Sequence, residues 1–148
     1  MKKILFILLV GTILGICQSA DAKKVRIPKM YIFGMAASFN DTIIHFTSIQ
    51  EMDSVWINTK GKFLDSRELY SLQLRNFLNT SKQMPHRTCL VVANKSRKKL
   101  EKKYKKFKKL YTESKDQKQH YDVRYIESQE FLFNPIRIND IDDGNATE

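Results

Sequence analysis

The most constraining stretch of the chain is an apolar run that leads directly into a lysine-rich segment. The run at residues 87–94 is short and continuous, a pattern typical of a strand buried on both faces. In the segment that follows, Leu100, Tyr104, Phe107 and Tyr111 recur at helical spacing and predict a single apolar stripe. Nearly every other position of that helix is lysine. The sequence therefore predicts a central strand and then a helix that covers the sheet with one side and shows water a positive face.

Alternating side chains indicate a hairpin at the start of the folded part. Residues 30–39 alternate between bulky and small side chains, and the small set includes Gly34 and Ala36, over which we expect a helix to pack closely. After a two-residue turn, residues 42–50 form the predicted return strand. Residues 51–57 either extend that strand past a bulge or form a further short strand.

A further helix and a last strand complete the predicted fold. The helix begins near Asp65, which stands in a capping-box relation to Glu68, and ends near Leu78. Residues 121–125 alternate as a half-buried strand. The order β-β-α-β-α-β predicts an α+β fold, a two-layer sandwich whose mixed sheet carries both helices on one face.

The length of 148 residues has room for one domain. We expect that domain at residues 23–139, followed by an acidic tail at 140–148 that is predicted to be mobile.

The first 22 residues have the pattern of a secretory signal peptide. Two lysines precede a thirteen-residue apolar run that ends at Ile16, and Ala20 and Ala22 fit the small positions of a cleavage site. Thirteen helical residues span about 20 Å, which is short of a ~30 Å hydrocarbon core and disfavours a membrane anchor. We expect cleavage after Ala22 and export to the periplasm or beyond. The mature chain loses two lysines and one aspartate, which leaves a net charge of +9.

Cys17 provides an alternative form of export. The run Leu14-Gly15-Ile16-Cys17 resembles a bacterial lipobox, in which the cysteine is acylated and becomes the new N-terminus. A lipobox has a small residue before the cysteine, so the bulky Ile16 makes a lipoprotein the weaker alternative. Without the leader, Cys89 is the only cysteine, and the exported domain depends on its core rather than on an intramolecular disulfide.

The residues that could carry chemistry form no convincing constellation. Cys89 lies three residues after His86, but a thiol dyad also needs hydrogen-bond reach and a group that orients the base. A cysteine that opens an apolar strand is more typically a small buried hydrophobe. The three histidines, His45, His86 and His120, lack helical i, i+4 spacing and there is no cysteine pair, so no zinc site is predicted.

Glu51 and Asp53 share one face of a strand, as a pair of acid/base carboxylates would. A polar strand end is the favoured interpretation. The sequence contains no phosphate-binding glycine loop, serine elbow or dinucleotide fingerprint. We therefore predict no catalytic residue, no metal ligand and no cofactor.

The outward side of the lysine helix is the one candidate binding site. Like charges recur along it at i, i+4, and each such pair costs about 0.2–0.5 kcal/mol at low salt. Glu101 is placed to relieve this repulsion only near Lys105. A polyanion such as anionic lipid, an acidic glycan or nucleic acid would account for the bias, while a merely solvated surface that shields apolar groups stays the alternative. Lysine rather than arginine favours non-specific attraction. We call this surface the lysine face, and it consists of Lys98, Lys102, Lys105, Lys106 and Lys109.

Several short runs are spread over most of the mature chain, namely Phe33-Gly34, Ser38-Phe39-Asn40-Asp41, Ile49-Gln50-Glu51, Tyr70-Ser71 and Arg87-Thr88-Cys89. Together with the lysine helix, they resemble a family of small exported proteins from Bacteroidota. The resemblance implies export and a small size. It implies no activity and no site residue.

The sequence thus favours a small, exported, non-enzymatic domain of the cell envelope that contacts an anionic partner. One alternative is a nucleic-acid-binding protein, which would need aromatic side chains interleaved with the charge. Tyr104 and Phe107 are expected to point into the sheet instead. The other alternative is an envelope enzyme whose site the sequence pattern does not mark.

Overall fold

The computed structural model describes residues 23–60, 62–113 and 120–137. The predicted signal peptide at 1–22, with Cys17, and the acidic tail at 140–148 lie outside the described residues. The regular elements are, in chain order, β1 (Lys24–Ala37), β2 (Ile43–Thr47), β3 (Gln50–Asn58), β4 (Phe63–Leu64), α1 (Arg67–Ser81), β5 (Thr88–Asn94), α2 (Arg97–Thr112) and β6 (Asp122–Ile126).

β1 is the centre of the sheet and pairs along both of its edges. On one edge its first half pairs antiparallel with β3 and its second half with β2, while β5 pairs antiparallel with the second half on the other edge. β4 lies antiparallel beside β3, and β6 lies parallel to β2. The predicted α+β class, the mixed sheet and the two helices are confirmed.

β2 and β3 form one return strand that is interrupted by a bulge. The register changes by one residue between the β2 pairing and the β3 pairing, where Ile32 lies opposite Gln50. Next to the break, the backbone N–H of Gly34 donates to Oγ1 of Thr47 at 2.9 Å. A side chain thus satisfies a buried donor where the ladder changes register. Of the two alternatives for residues 51–57, the extension past a bulge is the one that forms.

The loop between β1 and β2 is longer than the predicted two-residue turn. β1 ends at Ala37 and β2 begins at Ile43, so residues 38–42 connect them. The N–H of Ile43 donates to Oδ1 of Asp41 at 2.9 Å, which closes a turn around the aspartate. Phe39, which was predicted to end the strand, lies in this loop.

The two helices lie on opposite faces of the sheet. Successive residues of a strand point to opposite faces. Ile32 and Ala36 belong to the core that includes Leu74 of α1, whereas Phe33 belongs to the core that includes Leu100 of α2. We call these two sides the α1 face and the α2 face.

The prediction of a two-layer sandwich with both helices on one face is therefore wrong. The chain crosses β1 from β3 to β5 through α1, and it returns from β5 to β6 through α2. Crossovers between parallel strands share one hand, so a chain that reverses its direction places its second helix on the opposite face. The predicted order also lacked β4.

The expected close approach of a helix over the small side of β1 is confirmed. A Cβ atom built on Gly34 would lie 2.6 Å from Cδ2 of Leu74 and 3.0 Å from Cζ of Phe133. Only a residue without a side chain leaves room for α1 at this point of the sheet.

β5 is an edge strand and not the central strand that its apolar sequence predicted. Among the described residues it pairs only with β1. Its apolar character comes from a helix on each side of the sheet. Val91 is buried in the core of the α1 face, and Leu90 and Val92 pack against the core of the α2 face. An apolar run therefore reports burial of both faces, which an edge strand also achieves in a three-layer arrangement.

Residues 127–137 close the α1 face without forming a helix or strand. Phe131 and Phe133 are buried there. The buried amide of Gln50 donates to the carbonyl of Phe131 at 2.9 Å and accepts from the N–H of Phe133 at 2.9 Å. The N–H of Ile136 donates to the hydroxyl of Tyr70 at 3.1 Å, which ties the segment to α1.

α1 starts without the predicted capping box. Its N-cap residue is Ser66, which has a left-handed backbone (φ 52°) and makes no side-chain cap hydrogen bond. The Ser66 hydroxyl lies 3.2 Å from the carboxylate of Asp65 instead. The helix continues past the predicted end at Leu78 to Ser81.

Candidate anion-binding face

α2 is held to the sheet by its apolar stripe, as the spacing predicts. Leu100 is fully buried, and the ring of Tyr104 packs edge-on against Phe33 and Phe46 at centroid distances of 5.0 and 5.7 Å. Burial raises the pKa of Tyr104 to about 12. Tyr111 contacts Phe46 at 6.2 Å near the end of the helix. These contacts fix which side of α2 points away from the protein.

The start of α2 is capped as predicted. The hydroxyl of Ser96 accepts from the N–H of Lys99 at 3.4 Å, and the N–H of Ser96 donates to the side chain of Asn94 at 2.9 Å. The cap joins β5 to α2 with two intervening residues, and so it fixes where the lysine face begins.

All members of the lysine face are exposed. They lie opposite the buried stripe on the helix, and Lys98, Lys102, Lys105 and Lys106 form no ion pair with any described residue. Lys109 is the exception, since its Nζ lies 3.5 Å from the carboxylate of Glu113. The structure thus brings the five predicted lysines together on one surface, with one acidic partner at its C-terminal end.

The acid inside α2 does not relieve the lysine face. Glu101 was predicted to offset the charge near Lys105, but its carboxylate pairs with Nε of Arg97 at 3.0 Å. The guanidinium of Arg97 also lies 6.0 Å from the ring centre of Tyr31, so contacts at the sheet hold it in place. The positive charge of Lys105 therefore stays without an acidic partner among the described residues.

One aromatic side chain beside the lysine face was missed by sequence reasoning. Tyr125 of β6 is 42% exposed, and Nζ of Lys108 lies 4.7 Å from its ring centre. The pairing of β6 with β2 brings Tyr125 to the α2 face, because Tyr125 lies opposite Phe46. No local signal in the sequence indicates this parallel pairing.

Sequence reasoning also missed a group of polar side chains near His45, on the α1 face of the sheet. The side chain of Arg87 is only 3% exposed, and it donates to the carbonyl of Ile43 at 2.7 Å and to the carboxylate of Asp41 at 2.5 Å. Arg87 therefore anchors the loop at residues 38–42 to the start of β5. On β6, the guanidinium of Arg124 binds Asp122 at 2.7 Å.

His45 is buried beside this cluster. It is 5% exposed, and its Nδ1 has no hydrogen-bond partner. Burial, reinforced by the charges of Arg87 and Arg124, lowers the pKa of His45 to about 4. The imidazole is therefore neutral near pH 7.

Cys89 and His86 show no geometry of a thiol dyad. His86 is exposed in the loop before β5, while Cys89 is half-buried and its Sγ lies 3.9 Å from the carbonyl of Arg87. Burial raises the pKa of Cys89 to about 11. Since the thiolate is the nucleophile, this environment suppresses reactivity at neutral pH.

Glu51 and Asp53 are both exposed on β3. The carboxylate of Glu51 pairs with Nζ of Lys29 at 2.5 Å, and that hydrogen bond lowers the pKa of Glu51. A general acid needs the opposite shift. The two carboxylates thus occupy a polar strand surface.

Within residues 23–60, 62–113 and 120–137, no three His, Cys, Asp or Glu side chains come together as a metal-ligand group. No helix in the same ranges is long and apolar enough to cross a membrane. Comparisons of the chain with protein-family models, with curated proteins and with solved structures give no match. The resemblance to exported proteins of Bacteroidota stays a prediction.

Proposed function

We propose that the protein is a small, exported, non-enzymatic domain of the cell envelope that binds polyanions through the lysine face. One observation supports this most. Four of the five lysines have no acidic partner among the described residues, on a helix whose opposite side already packs against the sheet. Repulsion between like charges along such a row destabilises a helix, so a bound anion would relieve that repulsion.

The chemistry of the face favours charge attraction over base or glycan recognition. Lysine is a compact, hydrated charge on a flexible stem, and it lacks the bidentate geometry with which arginine reads phosphates. Tyr104 and Phe107 are packed inward and cannot act as stacking platforms. The nucleic-acid-binding alternative is thereby left with Tyr125, which contacts Lys108, rather than with aromatic platforms on α2.

The test is charge reversal of Lys102, Lys105 and Lys106 to Glu, which spares Lys109 because it already pairs with Glu113. We expect binding to heparin and to duplex DNA to fall by roughly tenfold or more at low salt. For the wild type, log affinity should fall linearly with log salt concentration, with a slope set by the number of charges neutralised.

The matched control reverses three other exposed lysines, Lys23, Lys60 and Lys62, which lie outside α2. It changes the net charge by the same amount and should retain most of the binding. Equal losses in both triple variants would mean that only net charge matters. Equal binding by the lysine-face variant and the wild type would reduce the lysine face to a solvated surface.

Export is the second part of the proposal and is supported by the leader pattern of residues 1–22. Mass spectrometry of the exported protein should find a mature N-terminus at Lys23. Ala22→Leu should block processing, since the cleaving peptidase needs a small residue there. An intact Met1 on the exported protein, or a lipid on Cys17, would contradict cleavage after Ala22.

A further inference from the structure

The loop between β1 and β2 presents an aromatic side chain entirely to solvent. Phe39 is 101% exposed, which is the full value for an isolated residue. The loop around it is well fixed, since Asp41 binds both the buried Arg87 and the N–H of Ile43, and the N–H of Asn40 donates to the Ser38 hydroxyl at 3.1 Å. A single exposed apolar residue is normal on a protein surface, so Phe39 supports an inference only together with the other features of the same end of the molecule.

A second apolar side chain is exposed at the same end of the molecule. α2 starts beside Tyr31, where Arg97 lies over the ring, and its last turn reaches Phe46 of β2 through Tyr111. The last turn therefore lies at the end of the sheet where β1 and β2 are joined. Leu110, in this turn, is 59% exposed.

The exposed leucine borders the lysine face. The exposed Lys106 is its neighbour on the helix surface at four residues before it, and the C-cap residue Glu113, which pairs with Lys109, follows it by three residues. The end of the molecule that carries Phe39 and Leu110 thus also carries the C-terminal half of the lysine face. Lysines combined with apolar side chains are the composition of surfaces that lie in a lipid interface.

We propose that this end of the protein docks on an anionic phospholipid bilayer, with Phe39 and Leu110 entering the boundary between head groups and acyl chains. The inference rests on the proposed polyanion binding and names its partner. The lysines contact anionic head groups, for which non-directional charge attraction suffices. An aliphatic side chain such as Leu110 gains nothing from a hydrated phosphodiester or sulfated glycan, but it is stabilised by transfer into an acyl region.

The docked state has two separable contributions. The electrostatic part weakens as salt rises, because counterions screen the lysines. The apolar part persists, because transfer of Phe39 and Leu110 out of water does not depend on their charge. Binding to heparin or DNA depends only on the electrostatic contribution. A variant that loses only the apolar contribution therefore distinguishes a bilayer from these other polyanions.

The test compares Phe39→Ser and Leu110→Gln with the wild type in two assays. One measures sedimentation with vesicles of phosphatidylglycerol and phosphatidylcholine, and the other measures retention on heparin. We expect each variant to lose about tenfold in vesicle affinity while its heparin retention is unchanged. The matched control is Leu132→Gln, since Leu132 is 57% exposed and lies in the segment that closes the α1 face. It should bind vesicles as the wild type does.

A spectroscopic measurement locates the loop directly. Phe39→Trp in a Trp56→Phe background leaves one tryptophan, at the loop. Its emission should shift to the blue on addition of the anionic vesicles and should be quenched by brominated acyl chains. Unchanged emission with vesicle-bound protein would overturn the insertion of the loop.

The remaining outcomes separate this inference from the proposed function. Wild-type protein that binds heparin and DNA but not anionic vesicles overturns the bilayer and leaves polyanion binding in place. Wild-type protein that binds none of the three overturns both. Equal vesicle binding by wild type, Phe39→Ser and Leu110→Gln would assign any lipid contact to the lysines alone.

Discussion

The two helices cover the two faces of one sheet, yet they do so with different surfaces. α1 buries Tyr70, Leu74 and Leu78 and carries only three charged residues among fifteen. α2 has Leu100 as its buried residue and carries ten charged residues among sixteen, eight of them lysine. A helix can therefore cover this sheet with few charges. The lysines of α2 exceed what covering requires, and this excess is the physical basis for assigning them a partner.

The largest expected effect is the loss of Leu74. Leu74→Ala should lower the free energy of unfolding by about 2–5 kcal/mol, because it leaves a cavity between α1, Gly34 and Phe133. Leu100→Ala should cost less, since Leu100 is the one buried residue of α2, whereas α1 buries three, and a helix held by fewer buried side chains can settle onto the sheet. Urea denaturation of both variants measures the difference, with the partly exposed Leu72→Ala as the control. Equal losses at Leu74 and Leu100 would break the contrast between the faces.

The next largest effect is a pH dependence of the free energy of unfolding, which comes from His45 on the α1 face. The pKa of His45 is about 4 in the folded protein and about 6.5 when unfolded, so between these values the unfolded chain binds the extra proton. Stability should fall as pH drops through this window, by about 3 kcal/mol in total. His45→Gln should flatten the dependence when denaturation is followed from pH 7 to 4. His86→Gln, at an exposed site, is the matched control.

A smaller loss of stability is expected when the side-chain amide of Gln50, which binds the segment at residues 127–137, is replaced. Gln50→Met leaves the N–H of Phe133 and the carbonyl of Phe131 without their buried partner, which should cost about 1–3 kcal/mol. The half-buried Gln73, which makes an equivalent pair of bonds to Asn134, is the control and should cost less on the same substitution. Hydrogen exchange of the Phe133 amide reports the opening. Slow exchange in Gln50→Met would show that apolar packing alone holds the segment.

The smallest effects concern single charges of the lysine face. Lys102→Glu places an acid four residues from both Lys98 and Lys106 and should stabilise the protein by about 0.2–1 kcal/mol at low salt. Lys109→Glu should bring no such gain, because the new repulsion with Glu113 offsets the new attraction to Lys105. Thermal unfolding in low and high salt measures both. Equal stabilisation by both variants would show that net charge, rather than position, governs α2.

Sequence periodicity predicted which side of each element is apolar, and it did so because that property is local. The stripe of α2 and the small side of β1 at Gly34 and Ala36 both follow from spacing within one element. Which face of the sheet a helix takes depends on strand order, and no local pattern encodes it. This is why the placement of both helices on one face was wrong.

The candidate site was predictable to the same degree. The five lysines and their exposure follow from the helical spacing. The contact of Lys108 with Tyr125 and the anchoring of Asp41 by Arg87 join residues distant in sequence. Phe39 was assigned to a strand by alternation, although the strand ends two residues before it. Its exposure depends on the loop that Arg87 holds.

The edge position of β5 has a consequence for how copies of the protein behave together. Its seven residues, Thr88–Asn94, include no lysine, no proline and no charge. Natural sheets commonly protect such edges against pairing with an identical strand by placing charges or prolines on them. On β5 we expect mutual repulsion between copies to supply that protection, since the predicted mature chain carries a net charge of +9. We therefore expect the colloidal stability of the protein to depend on the same charge that we propose binds a polyanion, so that neutralising this charge would favour edge-to-edge association.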